Sequence, residues 1–149
     1  EYLAYRIAQV TYLGNELSKR GIPIIQPVGG HGVYVDAQKF YPHIPQSEFP
    51  GQALVVELFK TGGVRGVELG SCAFSKKDPK TGEIIFPELE LVRLTVSRRV
   101  YTNRHMDVVV NSLADVYQRR NEMKGLRITY QGPIISLRHF TAKFEPIID

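Results

Sequence analysis

Arg93 is the residue whose setting in this sequence most directly predicts chemistry. It lies within the aliphatic segment 89–96, where strand alternation places it on the face opposite Val92. A guanidinium among aliphatic side chains is costly to bury without an anion. A carboxylate of the chain, such as Glu68 or Glu90, would be a structural partner, whereas a ligand carboxylate or phosphate would match the guanidinium with two parallel hydrogen bonds. The pattern alone favours the structural partner.

Three further arginines lie near this segment and form a second candidate. Arg98 and Arg99 follow it, and Arg104 lies at the start of a helical pattern. Together with the helix N-terminus they could hold an anion. A solvated cationic rim is the simpler interpretation, and it is the one we favour.

The histidines and the single cysteine do not predict a metal site. No histidine pair has the i,i+4 spacing of a helical zinc motif, and Cys72 has no second cysteine to join it. His139 falls in the segment Leu137–Phe144, where alternation puts it opposite Phe140. A lone strand histidine of this kind is usually a surface residue unless its face lines a cleft. The glycine-rich stretch 29–32 leads into a strand, so it predicts a tight turn rather than a phosphate loop.

Composition limits the classes to which the chain can belong. Of the 149 residues 43% are apolar and 23% are charged, as in an average globular domain. No apolar run approaches the ~20 residues that span a bilayer, and the net charge of +4 does not require a nucleic-acid partner. We therefore expect a single domain over residues 1–149, with neither membrane nor nucleic acid among its partners. A start at Glu1 rather than Met predicts a segment of a longer protein.

Hydrophobic periodicity predicts three helices. Apolar residues recur at three- and four-residue spacing over Leu3–Leu17, and this helix should end before Gly21. A second helix is expected over Ala53–Lys60, with Ser47 as a candidate N-cap, and a third should begin after Thr102.

Short apolar runs and alternation predict the strands. They cover Ile22–Val28, Gly32–Ala37, Val64–Gly70, Leu89–Val96, Leu126–Tyr130 and Leu137–Phe144. Helices and strands mix without a strict βαβ rhythm, which indicates an α+β domain with helices on one face of a small sheet.

Several motifs run through the chain in order. They are PVGGHGVYVDA at 27–37, PHIP at 42–45, FPGQAL at 49–54, DPKTG at 78–82, RLTVSR at 93–98 followed by YT and HMD, and LRHFTAK at 137–143. In wording, order and spacing they resemble motifs of the β-eliminating lyases, the family of tryptophanase and tyrosine phenol-lyase. The resemblance covers essentially the whole chain, which corresponds to the C-terminal part of the family's subunit.

The resemblance implies the small C-terminal domain of a pyridoxal-phosphate enzyme of fold type I, the aspartate aminotransferase-like fold, with a mixed sheet and helices on one face. In that family the cofactor forms a Schiff base with a Lys of the N-terminal large domain. The subunit assembles as a cytoplasmic homotetramer that uses a monovalent cation such as K⁺. We therefore expect no catalytic, cofactor-binding or metal-binding residue and no bound cofactor in this chain. Its partner should be its own large domain.

The resemblance also implies roles for three residues. The arginine of the family's RLT motif binds the α-carboxylate of the amino acid, and Arg93 matches it, so a ligand replaces the structural partner. Tyrosine phenol-lyase has an arginine where Leu69 stands and a phenylalanine where His139 stands, whereas tryptophanase has an apolar residue and a histidine. An apolar side chain suits an indole and leaves a phenol hydroxyl unpaired. Both positions imply L-tryptophan as substrate, cleaved to indole, pyruvate and ammonia.

Other features leave two alternatives open. Segments 88–93 and 98–101 resemble the phenol-lyase, and Ser97 stands where the family has Pro, so a tyrosine phenol-lyase domain is the first alternative. A stand-alone module that binds amino acids or other carboxylates is the second. In either lyase case the isolated chain should be inactive, because it lacks the Schiff-base Lys.

Overall fold

The computed structural model describes residues 2–148. Within this range the chain forms six α-helices and seven strands, three of the helices being long and three a single turn. In chain order they are α1 (Tyr2–Lys19), β1 (Gly32–Asp36), α2 (Ala37–Phe40), α3 (Pro50–Gly62), β2 (Val67–Leu69), α4 (Ser71–Phe74), β3 (Lys76–Lys77), β4 (Ile84–Ile85), β5 (Leu91–Thr95), α5 (Asn103–Gln118), β6 (Leu126–Tyr130), α6 (Arg138–Thr141) and β7 (Lys143–Pro146).

The central sheet has three strands in the order β1–β5–β2. Val33 of β1 lies opposite Leu94 of β5, and Glu68 of β2 lies opposite Val92. Two further ribbons pair β3 with β4 and β6 with β7. All these described ladders are antiparallel, because both strands beside β5 run against it, so the central sheet is not the mixed sheet that we expected.

One face of the central sheet forms the core with the three long helices. The buried apolar side chains come from β1, β5, α1, α3 and α5 and include Val10, Leu13, Leu17, Val33, Val35, Leu54, Leu58, Val92, Leu94, Val110, Leu113 and Val116. Each such side chain contributes about 1.5–3 kcal/mol when fully buried. This arrangement confirms the α+β domain with helices on one face of a small sheet. Within the described range no helix is both long and apolar enough to cross a bilayer.

Helix boundaries follow local backbone chemistry. Helix α1 ends before Gly21, whose φ is 71°, as predicted. Thr102 caps α5 together with His105, also as predicted. Helix α3 begins at Pro50 rather than Ala53, and Ser47 does not cap it. The preceding residue, Phe49, has φ 54°, and Pro50 suits the first helical position because no N–H donor is needed there.

Two predicted strands are wrong. The segment Ile22–Val28 forms only an isolated bridge from Ile24 to Val35, because Pro23 and Pro27 lack the N–H donors that a ladder needs. The segment Leu137–Phe144 begins as a short helix and becomes a strand only at Lys143.

The alternating apolar residues of Leu137–Phe144 do not form a buried face of a strand. No residue of α6 is buried, and Phe140 is 79% exposed. His139 therefore lies on a helical turn, not on a strand. The side chain of Arg138 fixes the position of that turn by bonding to α4.

Candidate functional site

Arg93 lies on the face of the central sheet that points away from the core. It pairs with Tyr34 of β1 and Val67 of β2, and its side chain is half-buried. The guanidinium Nε is buried and has no hydrogen-bond partner among the described residues. A buried donor left without a partner costs about 1–3 kcal/mol. A carboxylate is the anion that best matches a charged, planar guanidinium, and it would meet the accessible part of this half-buried side chain rather than the enclosed Nε.

The two carboxylates proposed as structural partners of Arg93 face the other way. Glu68 lies opposite the core residue Val92, and both Glu68 and Glu90 are buried. Neither forms an ion pair with Arg93, because alternate residues along a strand point to opposite faces of the sheet. The internal partner that the strand pattern alone favoured is therefore wrong, and the ligand that the family resemblance implies stays a prediction.

Leu69 shares the open face with Arg93. It lies opposite Leu91 in the ladder, two residues along β2 from Val67, the partner of Arg93. Diagonal neighbours of this kind are roughly 7–8 Å apart at their backbones. The half-buried Leu69 side chain thus places an apolar surface beside the guanidinium.

His139 lies in a groove at the edge of β2. The groove has a volume of about 700 Å³ and is bounded by α3, the residues leading into β2, and α6. The His139 ring packs on Phe140, with their centroids 4.0 Å apart. Val67 lines this groove and also pairs with Arg93, but neither Arg93 nor Leu69 lines it. The structure thus brings Arg93 and Leu69 together and places His139 beyond Val67.

The other arginines form an exposed rim. Arg98, Arg99 and Arg104 are exposed. At the N-terminus of α5, the N–H of His105 is directed to Thr102, and the N–H of Thr102 donates to Nδ1 of His105 at 3.0 Å. This arrangement agrees with the interpretation as a solvated rim.

A buried acidic cluster behind the sheet was missed as a unit in the sequence. Glu68 accepts hydrogen bonds from the N–H groups of Cys72 and Ala73, both at 3.0 Å. Glu90 accepts from the N–H of Ser71 at 2.7 Å and from the Ser71 hydroxyl. The two carboxylates therefore satisfy the N–H groups of α4, where negative charge is favourable. Glu90 lies two residues before Val92 along the strand, so alternation in the sequence already predicts that both side chains face the core.

Burial dominates the electrostatics of this cluster. Desolvation, together with the neighbouring Glu90, raises the pKa of Glu68 to about 7 although two N–H groups stabilise its charge. Burial likewise raises the pKa of Glu90. Gly70 lies between the carboxylates, and a Cβ there would collide with the Glu90 carboxylate, so any other residue would force that carboxylate to shift.

The lysines do not suit a Schiff-base cofactor. All eight are solvent-exposed, whereas a Schiff-base lysine needs a desolvated pocket or a nearby cation to lower its pKa. Among residues 2–148 no group of three or more His, Cys, Asp and Glu side chains could hold a metal ion. What the open face offers a ligand is therefore a half-buried guanidinium.

Comparison with known proteins gives consistent results. The sequence profile described as Beta-eliminating lyase matches residues 1–112. Tyrosine phenol-lyase of Symbiobacterium sp. (strain SC-1) is 53% identical over 147 residues, which cover 99% of this chain and 31% of that protein. Tyrosine phenol-lyase of Intrasporangium calvum is 48% identical over 99% of this chain and 30% of that protein. The probable tryptophanase of Aeropyrum pernix is 48% identical over 99% of this chain and 31% of that protein. The chain spans about a third of the length of these relatives.

Proposed function

The chain belongs to the beta-eliminating lyase family, and from this premise we propose that it is the small domain of a pyridoxal-phosphate-dependent carbon–carbon lyase of fold type I. Its parent acts on an aromatic amino acid. The observation that carries this proposal is the half-buried Arg93, whose Nε lacks a partner on the open face of the central sheet. No carboxylate of the described chain neutralises it, so an amino-acid carboxylate is the missing anion.

Arg93 has the role of orienting the substrate. A guanidinium that grips both oxygens of the α-carboxylate fixes the rotation of the amino acid and holds its Cα–H bond in one direction. When bound, the cofactor supplies an electron sink that makes this carbon acidic. We place the lysine that binds the cofactor in the rest of the parent subunit, the large domain, in line with the family resemblance. We place the parent in a cytoplasmic homotetramer that uses K⁺, in line with the family resemblance.

The aromatic side chain is placed by Leu69 and His139. Leu69 lies beside the clamp and offers an apolar surface without a charge or a hydrogen-bonding group. This chemistry suits an indole ring, and His139 provides a polar ring at the edge of β2. We therefore propose L-tryptophan, which with one water gives indole, pyruvate and ammonia.

Tyrosine is the second candidate substrate, with phenol, pyruvate and ammonia as products. It is favoured by the names of the relatives, since tyrosine phenol-lyases reach 53% identity to this chain and the probable tryptophanase 48%. Against it stands Leu69, which cannot pair with a phenol hydroxyl, and an apolar site disfavours a ligand that adds a hydroxyl by roughly 100-fold at most. The residue chemistry therefore favours tryptophan.

The test is a comparison of the full-length parent with the isolated chain on both amino acids. We expect the parent to release indole from L-tryptophan faster than phenol from L-tyrosine. The isolated chain should release neither and should show no visible absorbance band after incubation with pyridoxal phosphate. A parent variant Leu69→Arg should shift the preference toward tyrosine by about tenfold or more, since it supplies the missing partner.

Each result separates the alternatives. Faster phenol release by the unmodified parent would reverse the substrate assignment and keep the lyase. Turnover by the isolated chain would contradict the proposal that the large domain supplies the lysine that binds the cofactor. Tight binding of L-tryptophan to the isolated chain, lost in Arg93→Ala, would favour a stand-alone binding module.

A further inference from the structure

Two separate segments carry the residues that we assign to the aromatic ring of the substrate. Leu69 ends β2, and Gly70 leads directly from it into α4. His139 lies on α6, roughly seventy residues later in the chain. Nothing in local sequence ties these segments together, so some tertiary contact must fix their relative position.

Arg138 makes that contact. Its Nε donates to the carbonyl oxygen of Cys72 at 2.9 Å, and a terminal nitrogen donates to the carbonyl oxygen of Ser71 at 2.7 Å. The same nitrogen donates to the hydroxyl of Ser75 at 2.5 Å. One guanidinium therefore bonds to α4 at two points and to Ser75, the residue that follows α4, at a third, and so links α6 to this helix. The planar fork makes this a directional link that a lysine cannot reproduce.

Helix α6 has little else to hold it in place. None of its four residues is buried, so apolar packing within the chain does not fix it. Thr141 adds one weak link, accepting from the N–H of Gly132 at 3.3 Å. The Arg138 side chain also lies over the ring of Phe49, 6.0 Å from its centroid. Arg138 is thus the strongest polar anchor of the turn that presents His139.

The N-terminus of helix α4 is held by hydrogen bonds to two buried carboxylates. Glu68 and Glu90 accept from its first N–H groups, while Arg138 donates to its carbonyl oxygens. Negative charge at the N-terminus and positive charge at the C-terminus both match the helix dipole. The single turn of α4 therefore connects the buried carboxylates to α6 through hydrogen bonds at both of its ends.

From these contacts we propose that Arg138 is a positioning residue for substrate specificity: its bonds to α4 hold Leu69 and His139 in one arrangement around the aromatic ring. This proposal rests on the proposed function, because it assumes that these two residues contact the ring. Arg138 itself does not touch the substrate. Its loss should impair discrimination of the leaving group while sparing the carboxylate clamp, since Arg93 lies on β5 and is held by the sheet ladder.

The kinetic test uses the full-length parent with Arg138→Gln and Arg138→Lys. Each is assayed on the preferred aromatic amino acid and on 3-chloro-L-alanine, whose chloride leaving group is too small to need the ring contacts. We expect Arg138→Gln to lower kcat/KM for the aromatic substrate by roughly 10- to 100-fold, the scale set by a misplacement of about 1 Å. The value for 3-chloro-L-alanine should change far less, and Arg138→Lys should recover only part of the loss.

The matched control is Arg127→Gln, which removes an exposed arginine paired with the exposed Glu145. It should leave both kcat/KM values unchanged. If Arg138 only maintained the fold, its loss would lower kcat/KM for both substrates by the same factor. An unchanged ratio of the two kcat/KM values would therefore overturn the proposal.

A second measurement does not depend on activity. Hydrogen exchange in Arg138→Gln should accelerate over 71–75 and over 138–142 together, while the β5 segment 91–95 keeps its protection. Unchanged exchange in either segment would overturn the coupling. If the unmodified parent cleaves neither aromatic amino acid, the proposed function fails on that result alone, and the exchange experiment still decides whether Arg138 joins the two segments.

Discussion

A guanidinium that is half-buried and has an unpartnered Nε costs stability in the free chain, and under the proposed function it would provide binding energy in the complex. Arg93 is in this state because the two nearby carboxylates lie on the core side of the sheet and already bind α4. A ligand carboxylate removes the desolvation cost and adds charged hydrogen bonds at the same time. The side chain is therefore expected to matter much more for turnover than for folding.

Replacing Arg93 separates these two effects. In the full-length parent, Arg93→Leu should lower kcat/KM by about 100-fold or more, because the loss of a buried charge partner costs about 2–5 kcal/mol. In the isolated chain the same change should leave the free energy of unfolding unchanged or raise it by up to about 1 kcal/mol, since no described partner is lost. Urea unfolding and steady-state kinetics measure the two quantities.

Arg127→Leu is the control for this experiment, because Arg127 is exposed and pairs only at the surface. It should change neither quantity. A marked loss of stability in Arg93→Leu would mean that the arginine serves the fold, and the carboxylate clamp would lose its support.

At the scale of secondary-structure elements, α4 depends on two buried carboxylates for its position. Glu90 and the thiol of Cys72 lie beside Glu68, and the side chains of Lys60, Arg65 and His139 line the same groove as Glu68. Burial raises the pKa of the Cys72 thiol to about 12, so it stays protonated at neutral pH. The pKa values of both glutamates are raised, so both contribute to the pH response of this region.

The raised pKa of Glu68 makes stability depend on pH. Its pKa is about 7 in the folded chain and 4.5 in the reference state, so between these values the folded form holds a proton that the unfolded form releases. Stability from this group is complete below about pH 4.5 and is lost as pH rises through 7. The loss should reach about 2–3 kcal/mol, with Glu90 adding a change of the same sign.

Urea unfolding of the chain between pH 5 and pH 8 measures this dependence. Glu68→Gln cannot titrate, so its stability should fall less over that range than that of the unmodified chain. Glu145→Gln, on an exposed side chain, should retain the full slope. An equal slope in Glu68→Gln and the unmodified chain would show that the carboxylate is ionised throughout.

The elements that sequence reasoning predicted well are those set by local chemistry. Alternation along β5 predicts which face of the sheet carries Arg93, and Thr102 predicts the start of α5. Both predictions succeed because each depends only on residues close by in the sequence. The turn that carries His139 was read as a strand because its position is set by Arg138 bonding to a segment more than sixty residues away. Phe49 at φ 54° was equally hidden, since nothing in its own type predicts a left-handed backbone.

At the scale of the whole molecule, segment 134–140 is apolar and largely uncovered. Residues 134–140 expose Ile134, Ile135, Leu137 and Phe140 by 43–79% each. A contiguous patch of this kind marks an interaction surface. The relatives are about three times as long as this chain, so we expect the remainder of the parent subunit to cover part of the patch.

Ile135 and Ile44 form a matched pair that tests this expectation, because Ile135 is 58% exposed and Ile44 only 1%. In the isolated chain, Ile135→Ala should change the free energy of unfolding by no more than about 0.5 kcal/mol. Ile44→Ala should cost about 2–5 kcal/mol in the chain and also lower the melting temperature of the parent. In the parent, Ile135→Ala should lower the melting temperature as well, since there the side chain is covered. A parent indifferent to Ile135→Ala would place this segment on the outer surface of the subunit, and the large domain would have to dock elsewhere.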